Sequence, residues 1–157
     1  MGVWMFRRSS VLRRARCTIV VALVTGSALP AAANPVAAIR VSNASTAFDL
    51  SYAASASTLG GYVTSDNAPL ATIARQSADA FTIASASAQA LAGELINRAA
   101  GDPTRECTFR YTLAYTGARY VLAGAARASW TGQVACTVTT TGPDKAKGDF
   151  SVTFTMK

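Results

Sequence analysis

The chain contains no histidine, so the side chains able to do chemistry reduce to carboxylates, two central cysteines and a few lysines. A Ser-His-Asp triad, a Cys-His pair and histidine-bound zinc are excluded within this sequence. There is no Gly-rich phosphate loop, no Gly-x-Ser-x-Gly elbow and no Ser-x-x-Lys motif. Lys145, Lys147 and Lys157 are the only lysines. Carboxylate catalysis stays open, because a glycosidase needs only two acids flanking a bond. Its candidates are Asp49, Asp66, Asp79, Glu94, Asp102, Glu106, Asp144 and Asp149. Most lie in or beside turns, where Asp serves local hydrogen bonds, and are expected to be turn or solvated residues. Neither Asp66 with Asn67 nor Asp144 with Asp149 has the ligand density of a dedicated calcium loop. No catalytic residue, metal ligand or cofactor is expected, and the chain reads as non-enzymatic.

The cysteines carry a clearer message. In Cys107-Thr108-Phe109-Arg110-Tyr111-Thr112-Leu113-Ala114-Tyr115, every odd position is apolar, aromatic or cysteine, while even positions are mostly polar. That is a half-buried β-strand. Cys136 shares its parity with Val134 and Val138, so the two thiols face inward and a Cys107–Cys136 bridge is expected. Closing a loop of this length contributes about 3.5 kcal/mol in the chain-entropy model.

The elements that position these residues begin after a distinct N-terminal segment. Arg7, Arg8, Arg13, Arg14 and Arg16 precede the apolar run Ile19-Val20-Val21-Ala22-Leu23-Val24 without one acidic residue. This is the pattern of a secretory signal peptide, and Ala31-Ala32-Ala33 places cleavage after Ala33. The run is short for a membrane span. Ser10 stands where a twin-arginine signal wants a large apolar residue, and Cys17 precedes the apolar run, which is wrong for a lipoprotein anchor. Removing residues 1–33 takes five of the 15 basic residues and none of the eight acidic ones, so the net charge falls from +7 to +2. Nucleic-acid binding thereby loses its support, since Arg75, Arg98, Arg105, Arg110, Arg119 and Arg127 are dispersed. Cys17 leaves too, and an even pair of thiols in an exported, periplasmic or extracellular protein reads as one disulfide.

Residues 34–157 form one domain-length segment. Only 23 of its 124 residues are Ile, Leu, Val or Phe, which is half of a disorder signature; the other half, high net charge, is missing. Five tyrosines and Trp130 enlarge the expected core. Strands are expected at 36–42, 48–54, 62–64, 70–74 and 80–85, at the anchor 107–115, at 119–123, around 134–138 and at 150–156. Ala88 to Gly101 is contested. Ala88, Leu91, Leu95 and Ala99 fall at helical spacing, yet Gly93 costs about 1 kcal/mol in a helix. A strand at Gly93–Asn97 pairing with the anchor strand is favoured. Eight or nine short strands without a fixed repeat predict an all-β, antiparallel β-sandwich with at most one short helix, within 86–100.

The outward positions suggest a binding face. Thr108, Arg110 and Thr112 on the anchor strand, Thr137 and Thr139 near Cys136, and Thr153 and Thr155 on the last strand all point away from the core. If these strands are neighbours they make one Thr-rich face, although Thr is also simply a good strand former. Asn43-Ala44-Ser45 matches a glycosylation sequon and equally a turn.

The Ile39-x-Val41-x-Asn43 strand, the Gly60-Gly61 turn and Pro69, Ile73 and Phe81 are similar to positions in aegerolysin-type secreted sandwiches, which act on membranes; the likeness lacks their aromatic richness. The ending Phe150-Ser151-Val152-Thr153-Phe154-Thr155-Met156 resembles the terminal strand of bacterial fibre subunits, from which the cysteine placement departs. Neither resemblance carries over a residue.

These readings converge on an exported binding module for a surface, a glycan or a protein partner, with membrane contact left open. Self-association through an edge such as 149–157, as in a structural subunit, is the main alternative, followed by a membrane-active protein and a carboxylate hydrolase. Intact mass of the exported chain tests the first boundary: a species starting at Asn34 is expected, and one starting at Met1 sinks the signal-peptide reading.

Overall fold

A computed structural model describes residues 34–63, 68–131 and 133–157. Residues 1–33, where a signal peptide was expected, and the Asp66-Asn67 pair lie outside the described residues. Ten strands are present: β1 (Val36–Asn43), β2 (Leu50–Tyr52), β3 (Gly61–Val63), β4 (Thr72–Ile73), β5 (Ala78–Ser85), β6 (Ala90–Ala99), β7 (Asp102–Tyr115), β8 (Tyr120–Ala128), β9 (Cys136–Thr141) and β10 (Phe150–Met156). They form two five-stranded sheets, ordered β3-β5-β1-β10-β9 and β4-β2-β6-β7-β8. The fold is a β-sandwich, with one strand more than the upper end of the sequence count.

The core lies between β7 and β10, whose alternation is the strongest in the chain. Cys107, Phe109, Tyr111 and Leu113 are buried on β7, and Phe150, Val152, Phe154 and Met156 on β10. Phe109 stacks on Phe154 with centroids 4.8 Å apart, and Tyr111 tilts over Phe150 and Phe154. The Cys107–Cys136 disulfide is formed; because β7 and β9 belong to different sheets, it staples the two layers together. Such a bridge is compatible with an exported protein.

The contested segment is strand β6, paired antiparallel with β7 from Ala90↔Ala114 to Arg98↔Glu106. Gly93 has a packing reason to be glycine. A Cβ there would stand 2.3 Å from the Tyr111 phenol oxygen, so the missing side chain is the seat of the Tyr111 ring. That phenol donates to the Leu59 carbonyl, fixing the segment that carries the chain from the second sheet to the first. In the same segment Gly60 (φ +69°) passes so close to the Ala92 carbonyl that a Cβ would overlap its oxygen. Only glycine combines that φ with that approach.

Several expectations need correction. The pairing is antiparallel with one exception, where β1 and β10 pair in parallel, Ala37↔Phe150 to Asn43↔Met156. Consequently β10 lies between β1 and β9 and is no edge; the edge-pairing role assigned to 149–157 has no free edge to use. The 48–54 and 70–74 strands shrink to β2 and β4, because Asn43 organises their ends. Its amide donates to the Phe48 and Ile73 carbonyls and accepts from Ser45 N–H. Asn43 is buried, so the sequon is a turn that ties the end of β1 to β4 and to the segment leading into β2. Trp130 does not join the core but is 91 % exposed, since β8 ends at Ala128 and Ser129 turns back to bond Glu106 and Thr104.

Burial drives the Tyr111 phenol well above its ordinary pKa, with the Tyr52 charge adding to the shift. The unfolded phenol releases its proton near pH 10 while the folded one keeps it. The folded state therefore binds more protons above pH 10, and stability falls as pH rises, by up to about 1.4 kcal/mol per unit. Urea midpoints between pH 9 and 11 should show this slope, reduced in Tyr111→Phe; equal slopes in the two proteins contradict the assignment.

Candidate functional site

The expected Thr-rich face is two faces on opposite sides of the sandwich, because β7 lies in one sheet and β9 and β10 in the other. Thr137, Thr139, Thr153 and Thr155 do meet: Thr153 pairs with Thr139 and Thr155 with Thr137. β1 extends these rows through Arg40↔Thr153 and Ser42↔Thr155. The result is a flat hydroxyl grid carrying one cation.

Thr108, Arg110 and Thr112 sit on the other face, among different neighbours. Alternation on β6, β7 and β8 sets the rows Ala92–Thr112–Ala123, Glu94–Arg110–Ala125 and Ile96–Thr108–Arg127. Arg110 donates from Nε to Glu94. Small residues on β8 leave a groove of about 260 Å³ lined by Glu94, Thr108, Arg110, Ala125, Ala126 and Arg127. Thr108 and Arg127 also line a second hollow of about 300 Å³, closed by Glu106, Ser129 and Trp130. The Arg127 guanidinium lies over the Trp130 ring, 5.7 Å from its centroid. The structure thus brings Glu94, Arg127 and Trp130, none of which was expected on this face, together with Thr108 and Arg110. Thr112 lies one row away. Alternation could have placed Arg127 outward on its strand, but nothing in the sequence exposes Trp130, whose parity with Val134 and Cys136 suggested the core.

The carboxylates are used locally. Asp49 accepts from Arg75 N–H, Asp79 from Leu70 N–H and Asp149 from Val36 N–H. Glu106 pairs with Arg98 at 2.7 Å and Asp102 with Arg105 at 3.1 Å. The Thr104 hydroxyl and then its N–H hold Asp102 below the ordinary carboxylate range. Asp144 accepts from Ala146 and Lys147 N–H. Every described acid is therefore engaged by a base or a backbone donor. Among the described residues, no group of three His, Cys, Asp or Glu side chains could hold a metal. The bases are not all engaged: Arg40, Arg119, Arg127, Lys145, Lys147 and Lys157 form no ion pair among the described residues.

No family model matches the chain, and no curated protein matches it in sequence. The architecture itself is a known one. The crystal structure of the lipid binding protein Nakanori is similar to this chain, with a TM-score of 0.59 at 13% identity, covering 79% of this chain and 71% of that one. At that identity the likeness concerns the fold.

Trp130 is the only tryptophan in residues 34–157, so fluorescence reads its surroundings directly. Its emission should be that of a solvent-exposed indole, and iodide should quench it more than caesium because Arg127 draws anions to the ring. Blue emission or equal quenching contradicts this geometry.

Proposed function

We propose that this chain is a non-enzymatic module that binds a lipid surface at headgroup depth through the outer face of β6, β7 and β8, with Trp130 as anchor. The observation carrying this reading is the exposed Trp130 ring capped by Arg127 at the mouth of a polar groove. An indole with a cation beside it suits the membrane interface, where one part is apolar and the other wet. The fold shared with a lipid-binding protein supports the same class. No helix among the described residues is long and apolar enough to cross a membrane. The other exposed large apolar residues, Tyr62, Leu70, Tyr115 and Val121, are scattered over different elements. Attachment without deep insertion follows from that scatter. The engaged carboxylates support a non-enzymatic role. A glycan reading of the same groove draws on its Thr108, Arg110 and Glu94 lining.

Co-sedimentation with neutral, anionic and glycolipid-bearing vesicles tests the proposal. Binding to at least one class without leakage is expected, and Trp130→Ala should weaken it tenfold or more, as loss of an aromatic hot spot does. Thr139→Val, on the opposite face, should bind as the parent does. A parent that ignores all three vesicle classes overturns the lipid reading; undiminished binding by Trp130→Ala overturns the assigned face.

A further inference from the structure

We infer that the opposite end of the sandwich holds a second binding site, a pocket for a sugar ring bearing an anionic group. It is formed by Tyr115, Tyr120, Gln89 and Lys145 and is separate from the Trp130 face. Trp130 lies just past the end of β8 and Tyr120 opens that strand; nine residues of strand put the two sites roughly 25 Å apart.

Three observations build the pocket. Tyr115 and Tyr120 pair across the β7–β8 hairpin, with centroids 5.0 Å apart and planes tilted by 54°. Together with Ala88, Gln89, Ala118 and Lys145 they enclose about 280 Å³, enough for one hexose-sized ring. Both phenols already donate, Tyr120 to the Ala88 carbonyl and Tyr115 to the Gly117 carbonyl. The rings are therefore held in place: Tyr120 is buried and backs the pocket, and Tyr115, 43 % exposed, offers a face rather than a donor.

The third observation is the turn that carries Lys145. Asp144 takes the N–H groups of Ala146 and Lys147 on its carboxylate, its own N–H donates to the Asp149 carbonyl, and its carbonyl accepts from Gly148 N–H. Gly148 is buried under the Tyr120 ring, where a Cβ would stand 2.8 Å from it. The turn is thus docked on the same tyrosine that walls the pocket. Asp144 is spent on the turn, and Lys145 has no ion-pair partner among the described residues. A spare ammonium beside an open aromatic face and the exposed Gln89 amide matches a ligand with a flat C–H face, hydroxyls and a carboxylate or phosphate. The C–H face stacks on Tyr115 and the anion meets Lys145.

Amide chemical shifts of the disulfide-bonded chain 34–157, titrated with glucuronate, glucose 6-phosphate, glucose and inorganic phosphate, test the inference. Perturbations confined to Gln89, Tyr115, Ala118, Tyr120 and Lys145 are expected for at least one acidic sugar, and the stronger of the two names the anion. Glucose should bind about tenfold more weakly, and Lys145→Gln, on an exposed turn, should weaken the acidic sugar by a similar factor. Trp130→Ala should leave the titration unchanged, which keeps this site distinct from the lipid-facing one. Failure of both acidic sugars, equal response to glucose, or the same response to inorganic phosphate overturns the proposal.

Discussion

The contact between β7 and β10 is the constraint on which the molecule depends. A protein with so few large aliphatic residues must concentrate its burial, and it does so in the Phe109–Phe154 stack, with Tyr111 leaning across it. Each fully buried aromatic contributes about 2–3 kcal/mol of transfer free energy, and aromatic pairs add about 1 kcal/mol more. Because β7 and β10 are internal in their sheets, fixing their separation fixes both layers. Toward the other edge the layers close in: a Cβ on Gly124 would stand 2.8 Å from a Val138 methyl. The small residues of β8 are what let β9 approach, and the disulfide holds that approach at one end.

Concentrating the core in this way frees the outward positions from any packing duty. They divide by chemistry. One outer face is a hydroxyl grid set by cross-strand Thr pairs, and the other is ion-paired and grooved. The charge is distributed with the same asymmetry. Each described acid is bound to a base or a backbone donor, whereas several bases stand free, so the small net positive charge of residues 34–157 is a set of discrete spare cations. Two of them, Arg127 and Lys145, stand beside exposed aromatic rings.

Much of this was legible in the sequence, and the division between what was and was not has a physical basis. Period-two alternation reports which way a side chain points, so the buried faces of β7 and β10 and the Cys107–Cys136 pairing could be read from parity alone. Alternation is silent about which strand lies alongside. The interior place of β10, its parallel pairing with β1 and the separation of Thr108 from Thr153 therefore came only with the fold. Gly93 shows the other limit. Its presence argued correctly against a helix, but its purpose depends on Tyr111 across the sheet. Asn43 was legible as a turn residue through its local bonds to Ser45 and Phe48, but its bond to the Ile73 carbonyl, thirty residues on, came only with the fold.

Trp130 sharpens the point about function. An indole left 91 % exposed forgoes nearly all the burial energy that makes aromatic residues useful to a fold. Stacking by Arg127 at a solvated site returns only about 0.5–1 kcal/mol. The turn at Ser129, bonded to Glu106 and Thr104, holds the ring out of the core. In the proposed reading the deferred burial is recovered when a ligand covers the ring, so that association gains the apolar area that folding left in water. The Arg127 contact then acts before binding, limiting the indole's orientations and reducing the entropy lost when the ligand docks.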